Sequence, residues 1–248
     1  MSAKNKKLIP LEKILFSQGF GTRRHCANLI MAELVHVDGE IIDDPDRLIC
    51  PEGRILKVEG NTWPFHEKAY VGFNKPTNYE CSHKTKHHPS VYHLLPAQLI
   101  ERGIQCVGRL DQDTTGLLLM SDDGQFIHQM TTPKKNIGKV YEVITADLIT
   151  TSQINHLLSG VVLDDDPKPC FAIQCHQEDE RKLILTIVEG RYHQVKRMLA
   201  AVGNHVDQLH RRAIGHYTLP SDLKEGQWTW LTPENIKSLF GKDIQPHQ

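Results

Sequence analysis

The 248-residue sequence lacks an excess of charge of either sign, with 29 Lys and Arg against 30 Asp and Glu. That excludes a protein that coats nucleic acid through bulk positive charge, though not one with a confined basic patch. Paired thiols are absent too. The six cysteines, at 26, 50, 81, 106, 170 and 175, form no Cys-x-x-Cys motif and follow no zinc-ribbon spacing. Scattered thiols fit a reducing compartment. Long apolar runs are missing, and the strongest, Leu117–Met120, is far too short to span a bilayer. Pro10, Glu12 and Lys13 interrupt the N-terminal apolar residues, so no signal-peptide core fits. The expectation is a cytoplasmic protein without a membrane partner. His83, His87, His88 and His93 match no zinc spacing and have no carboxylate between them. Neither a Walker loop, nor a dinucleotide-binding Gly-x-Gly-x-x-Gly, nor a Gly-x-Ser-x-Gly elbow occurs. The sequence therefore predicts no metal and no cofactor. What it does have is a 39% hydrophobic fraction, enough for a real core.

Composition shifts once, at Gly60–Lys68, where Gly, Pro and mixed polarity read as a linker. The expected organisation is a small module over 1–60, a linker over 61–68 and a larger module over 69–248. In the first, Leu11, Ile14 and Leu15 recur at helical spacing, and Thr22 can cap a second helix bearing Cys26, Leu29 and Ile30 and continuing to Glu33-Leu34. Val35–Ile41 reads as a hairpin about Asp38-Gly39, and Arg54–Val58 as a last strand. In the second, β-branched content predicts strands at 69–74, 117–121, 140–145, 161–163, 171–175 and 183–188. Helices are expected at 124–130, 150–158 and 192–202. Strands outnumber helices without alternating strictly with them, so the expected class is α+β with a mixed, mainly antiparallel sheet.

Three segments can carry chemistry. Gly108–Gly116 is a polar, turn-rich loop before the most apolar strand, and it offers Asp111 and Asp113 with Arg109 close by. A neighbouring cation favours the ionised form of a carboxylate, the form that acts as nucleophile or base. Asp and Thr in a loop are also ordinary turn formers. Residues 191–212 hold five cations against one acid, a net +4, with His193, His205 and His210 among them. Cations beside aromatic and imidazole groups suit a phosphate backbone with splayed bases, although a basic surface helix would look the same. Lys139 and Tyr141 share a face at a strand start, where a tyrosine can stack on a base or simply pack.

Taken in order, these motifs resemble the RsuA/Rlu-type pseudouridine synthases. Asn74-Lys75-Pro76 with Cys81-Ser82 looks like the family's first motif. Gly108-Arg109-Leu110-Asp111 with Asp113–Met120 is similar to its signature, and Lys139-Val140-Tyr141 to its Lys-x-Tyr. Glu189–Met198, Gly203–Val206 and Leu209-His210-Arg211 are similar to its last motif. The first module resembles an S4 RNA-binding domain, and the likeness runs over about residues 8–240. Tyr192–Lys196 and Ser121–Gln125 are most similar to the branch acting on small-subunit (16S) rRNA.

The resemblance implies roles. Asp111 would be the carboxylate that breaks the glycosidic bond of a flipped-out uridine, by adding to the base, attacking the sugar or removing a sugar proton. Tyr141 would stack on the uracil, and Arg197 would pair with Asp111 and aim it. Leu209 would close the apolar wall, and Arg109 would hold the flipped conformation. Lys75, Lys139 and His193 would contact substrate, and Lys13, Arg23 and Arg24 would bind RNA phosphates. The base has to leave its stack, and an aromatic face with an apolar wall offsets that cost of a few kcal/mol. The product is an isomer, so no cofactor is implied, and a monomer is expected.

Asn78 stands where the family pattern has Gly, and Asn tolerates positive φ better than other side chains. Glu80 replaces an apolar residue. Two other readings stay open: the same chemistry on a large-subunit (23S) hairpin, or a non-catalytic S4 assembly factor. The near-zero charge also conceals structure. Residues 1–37 hold six cations against two acids, a net +4, and residues 38–60 hold three against seven, a net −4.

Overall fold

The structure, a computed structural model, describes residues 7–164 and 166–241, so Lys4, Lys6 and Asp165 lie outside it. The chain divides into two compact units, Met1–Ala69 with Leu95–Gln105, and Tyr70–Leu94 with Cys106–Gln248.

In the first unit, helices α1 (Leu11–Ser17) and α2 (Arg23–Met31) bury Leu11, Ile14 and Leu15 against Cys26, Leu29 and Ile30. Thr22 caps α2 by accepting the His25 N–H, a contact of the kind that contributes about 1 kcal/mol. The helix stops short of the expected Glu33-Leu34. Glu33 turns left-handed at φ 59°, and the Leu34 N–H closes back on Leu29 O, a Schellman-type end. Strands β1 (Val35–Val37) and β2 (Glu40–Ile41) form the expected hairpin, with Asp38 and Gly39 both at positive φ as a type I′ turn requires. Strand β3 (Ile55–Val58) pairs with β1, and β4 (Asn61–Pro64) pairs with β3.

Strand β4 therefore occupies the start of the segment expected to be a linker. Its Trp63 is buried, an anchor that local composition does not reveal. Residues 95–105 also belong to this unit rather than to the larger module. Arg102 Nη1 donates to Gln18 Oε1 and His66 O, both at 2.9 Å.

The second unit is built on a nine-stranded sheet. Its elements are β5 (Tyr70–Lys75), β6 (Thr115–Ser121), α3 (Gly124–Thr131), β7 (Lys139–Thr145), α4 (Thr151–Ser159), β8 (Gln174–Asp179), β9 (Lys182–Ile187), α5 (Gln194–Ala201), β10 (Val206–Ile214) and β11 (Trp228–Trp230). The main path runs β8-β9-β7-β10-β6-β5-β11, and along it only β10 and β6 pair in parallel. This is the α+β arrangement with a mixed, mainly antiparallel sheet. Val107, Leu117, Leu119, Phe126 and Met130 pack with Ile214, Tyr217 and Leu231 in its core.

Two segments differ from the sequence expectation. Phe171–Ile173 is not a strand, and strands lie on either side of it, at Asp166–Cys170 and in β8. Seven of the nine residues of β10, central to the sheet, belong to the basic 191–212 segment that read equally as a surface helix. Among the described residues no helix is long and apolar enough to cross a membrane.

Candidate active site

The Gly108–Gly116 loop is held from below by β5. Lys75 is fully buried, and its Nζ donates to Pro76 O at 3.0 Å, Gln112 O at 3.1 Å and Thr114 O at 2.9 Å. Lys75 is thus a post under the loop, not the substrate contact that was expected: all three ammonium protons are used on backbone. Asn78 takes the left-handed conformation at φ 63°, as its place in the turn demands, and its N–H donates to Gln112 O at 2.8 Å. The loop ends at Gly116, φ 99°, where a Cβ would run into the Arg211 backbone. Only glycine lets β6 meet β10 there, so the two motif strands are locked side by side.

Asp111 then faces the start of α5. His193, left-handed at φ 48°, precedes that helix and brings Nε2 to 3.3 Å from Asp111 Oδ1. Lys196 Nζ lies 3.7 Å from Asp111 Oδ2 and grips both Asp113 oxygens, at 2.6 and 2.7 Å. Burial is the largest single influence on Asp113 and works against its charge, but the Lys196 hydrogen bond and charge, with its backbone hydrogen bond and His193, together hold that carboxyl below its ordinary range.

The expected partner of Asp111 was Arg197. Arg197 Nη1 instead donates to Tyr192 O at 3.1 Å, and Arg197 does not line the cavity beside Asp111. The reason is helical phase. Val195, Met198 and Leu199 face the core; at 100° per residue Lys196 flanks that stripe and Arg197 lies opposite it. That phase was available in the sequence.

Asp111 opens on a cavity of about 560 Å³. Arg109, Tyr141, Lys139, His193 and Leu209 line it with Asp111, so six of the expected residues converge there. Tyr141 and Leu209 are each 7% exposed and present an aromatic and an aliphatic surface to the space. Lys139 Nζ faces the Ile137, Val188 and Glu189 carbonyls at 3.3–3.4 Å. Burial, then the Arg211 charge, pull its pKa down to about 8.

Arg211 also lines the cavity and was missed as a site residue. Its Nε donates to Leu117 O at 2.7 Å and its Nη1 to the Tyr141 hydroxyl at 3.5 Å. The signal was period-two alternation: Leu209, Arg211 and Ala213 are buried while Gln208 and Arg212 are exposed.

Lys13, Arg23 and Arg24 lie on α1 and α2 of the first unit, all exposed, with the Arg23 guanidinium 5.4 Å from the Phe16 ring centre. His83 stacks on Tyr92 at 3.7 Å, and Glu80 accepts the backbone N–H groups of Lys86, His87 and His88, so these residues shape a loop.

Comparison with known proteins places the chain in a family. Residues 69–201 match the RNA pseudouridylate synthase family, and residues 9–55 match the S4 domain. The chain is 36% identical over 232 residues to a ribosomal small subunit pseudouridine synthase A of Vibrio parahaemolyticus, covering 93% of this chain and 99% of that protein. It is 37% identical over 229 residues to the protein of the same name in Escherichia coli K12, covering 92% and 99%. A crystal structure of a pseudouridylate synthase superposes with a TM-score of 0.66 at 34% identity, covering 93% of this chain and 99% of that one. The match over residues 69–201 and the near end-to-end likeness to these relatives show that the chain belongs to the RNA pseudouridylate synthase family, with an S4 domain preceding the synthase domain.

Proposed function

We propose that this protein isomerises a uridine of small-subunit (16S) rRNA to pseudouridine, with Asp111 as the catalytic carboxylate. The observation that carries the reading is Asp111 at a cavity whose other walls are Tyr141, Leu209 and the cations Lys139 and Arg211. The isomerisation breaks the C1′–N1 bond, forms C1′–C5, releases the C5 proton and leaves a proton on N1. It therefore needs a carboxylate at the sugar edge and room for a detached uracil to turn. A cavity of about 560 Å³ lies within the range that holds a small ligand.

Tyr141 stacks on the base and Leu209 covers its other side, which repays unstacking. Lys196, rather than Arg197, aims Asp111, with His193 on its second oxygen. Arg109 holds the flipped nucleotide. Lys13, Arg23 and Arg24 take RNA phosphates in a protein that works as a cytoplasmic monomer. Small-subunit rRNA is favoured by the names of the relatives that match nearly end to end.

The test is tritium release from 5-tritiated uridine in small-subunit rRNA. Asp111→Asn abolishes release and leaves RNA binding in place; unchanged release would overturn the assignment. Pseudouridine mapping in a strain lacking the gene then finds one site lost from small-subunit rRNA. A site lost from large-subunit rRNA, or none lost, would move the reading to the other substrate or to a binding factor.

A further inference from the structure

The cavity makes no use of the segment between Glu80 and Ser90. That segment holds Lys84, Lys86, His83, His87 and His88 and no acid, and Lys84, Thr85, Lys86 and His87 stand exposed. Its histidines do not assemble a metal site: among the described residues no three His, Cys, Asp or Glu side chains come together to hold an ion.

The loop nonetheless has a fixed shape. Glu80 forms its neck, donating its N–H to Pro89 O at 2.9 Å and accepting the Val91 N–H on its carbonyl at 3.0 Å. The Glu80 carboxylate turns into the loop and accepts the backbone N–H groups of Lys86 at 3.1 Å, His87 at 2.9 Å and His88 at 3.0 Å. An apolar side chain at this position accepts none of them. Ser82 Oγ accepts the Lys84 N–H at 3.0 Å and donates to Lys84 O at 2.9 Å, and Ser90 Oγ donates to Ser82 O at 2.6 Å. The His83 ring lies 3.7 Å from the ring of Tyr92, nearly parallel to it, and Tyr92 is buried.

The acid and the hydroxyls are thus spent on the backbone, and the ammonium groups are left to solvent. Among the described residues no carboxylate is paired with Lys84 or Lys86. The loop is also rooted beside the carboxylate of the cavity. Its neck lies two residues past Asn78, whose N–H donates to Gln112 O at 2.8 Å, and Gln112 follows Asp111 directly.

We propose that residues 82–88 form an RNA-binding surface of their own, in which Lys84 and Lys86 take phosphates of the strand that carries the target uridine. The identity of that strand rests on the function proposed above. A strand that delivers a base to Asp111 has phosphates on either side of it, opposite in charge to the two lysines. A loop already held in shape loses little further freedom when it binds. Glu80 is a positioning residue: it touches no RNA and presents the two cations.

The full-length protein and its Lys84→Ala/Lys86→Ala variant are compared by filter binding to small-subunit rRNA over a salt series. Two lost phosphate contacts flatten the slope of log K against log salt by about 1.4–1.8. Between about 200 and 50 mM salt the native protein then gains about seven- to twelvefold more affinity than the variant. In tritium release the loss falls on KM rather than kcat. Parallel salt curves overturn the proposal. Bound rRNA also shields Lys84 and Lys86 from amine acetylation, read by peptide mass spectrometry, and equal acetylation with and without rRNA overturns the contact. Glu80→Leu separates shape from charge. Loss of an acid tightens binding to a polyanion where net charge alone matters, whereas an untied loop binds more weakly. Equal or tighter binding by Glu80→Leu overturns the positioning role. Native protein that shows the shielding but releases no tritium refutes the isomerase reading and leaves the loop standing. Native protein that binds no rRNA overturns the loop's role itself.

Discussion

Residues 1–37 and 191–212 carry the same net charge, +4, and use it in opposite ways. In the first segment Lys13, Arg23 and Arg24 stand exposed on two short helices, and among the described residues no carboxylate is paired with them. In the second, Arg191 is bound to Asp166 and Glu189, Lys196 to Asp113 and Asp111, and Arg212 to Glu178, while Arg211 is buried under Tyr141. Unpaired surface cations attract phosphate at long range; paired and buried ones fix geometry at short range. Equal charge counts thus mark one region for affinity and the other for alignment.

The sharpest way to break that comparison is to exchange neighbours on α5. Lys196→Met removes the cation beside Asp111 and lowers kcat for tritium release by about 100-fold, the scale of a misplaced catalytic group. Arg197→Met, on the opposite side of the helix, stays within about threefold. Equal losses would mean that the α5 cations act as a diffuse patch like the N-terminal ones.

Arg211→Met comes next. It strips a donor from Leu117 O and from the Tyr141 hydroxyl, both in the interior. The cost is about 1–3 kcal/mol, read as a lower midpoint in urea unfolding. A stable variant with normal turnover would return Arg211 to the class of ordinary surface charge.

Lys139 tests alignment by pH. Its folded pKa of about 8 lies below the unfolded value of about 10.4. Between them the unfolded chain holds more protons, so this residue's contribution to stability rises with pH across that window. The cavity meanwhile loses a cation as pH climbs through about 8, so activity falls where stability gains. Lys139→Met loses both slopes, seen by comparing pH–rate and pH–melting curves of the two proteins. A wild-type rate that is flat from pH 7 to 9 would remove Lys139 from the reaction.

The parts of this molecule visible in the sequence are those decided locally. The Thr22 cap, the Asp38-Gly39 hairpin and the turn at Asn78 depend on residues a few positions apart, and each forms as expected. The Gly108–Asp113 loop was visible for the same reason. Lys75 read as a substrate contact because its burial depends on carbonyls of Gln112 and Thr114, nearly forty residues away. Strand β10 was hidden by Asp207, His210 and Arg212, whose polarity masks an alternating face that only the parallel neighbour β6 makes into a core.

The smallest effect on chemistry, and the cleanest on affinity, belongs to the N-terminal helices. Arg23→Glu with Arg24→Glu removes two exposed cations that bear on no core residue, so the fold and the saturated rate are unchanged. If both contact phosphate, each releases one condensed counter-ion, and the slope of log K against log salt flattens by about 0.7–0.9 per contact. The double variant therefore binds small-subunit rRNA more weakly at low salt, and its curve converges on that of the native protein as salt rises. Filter binding over a salt series measures this. Parallel curves would show that α2 does not touch phosphate, and the two +4 segments would then differ in geometry without differing in role.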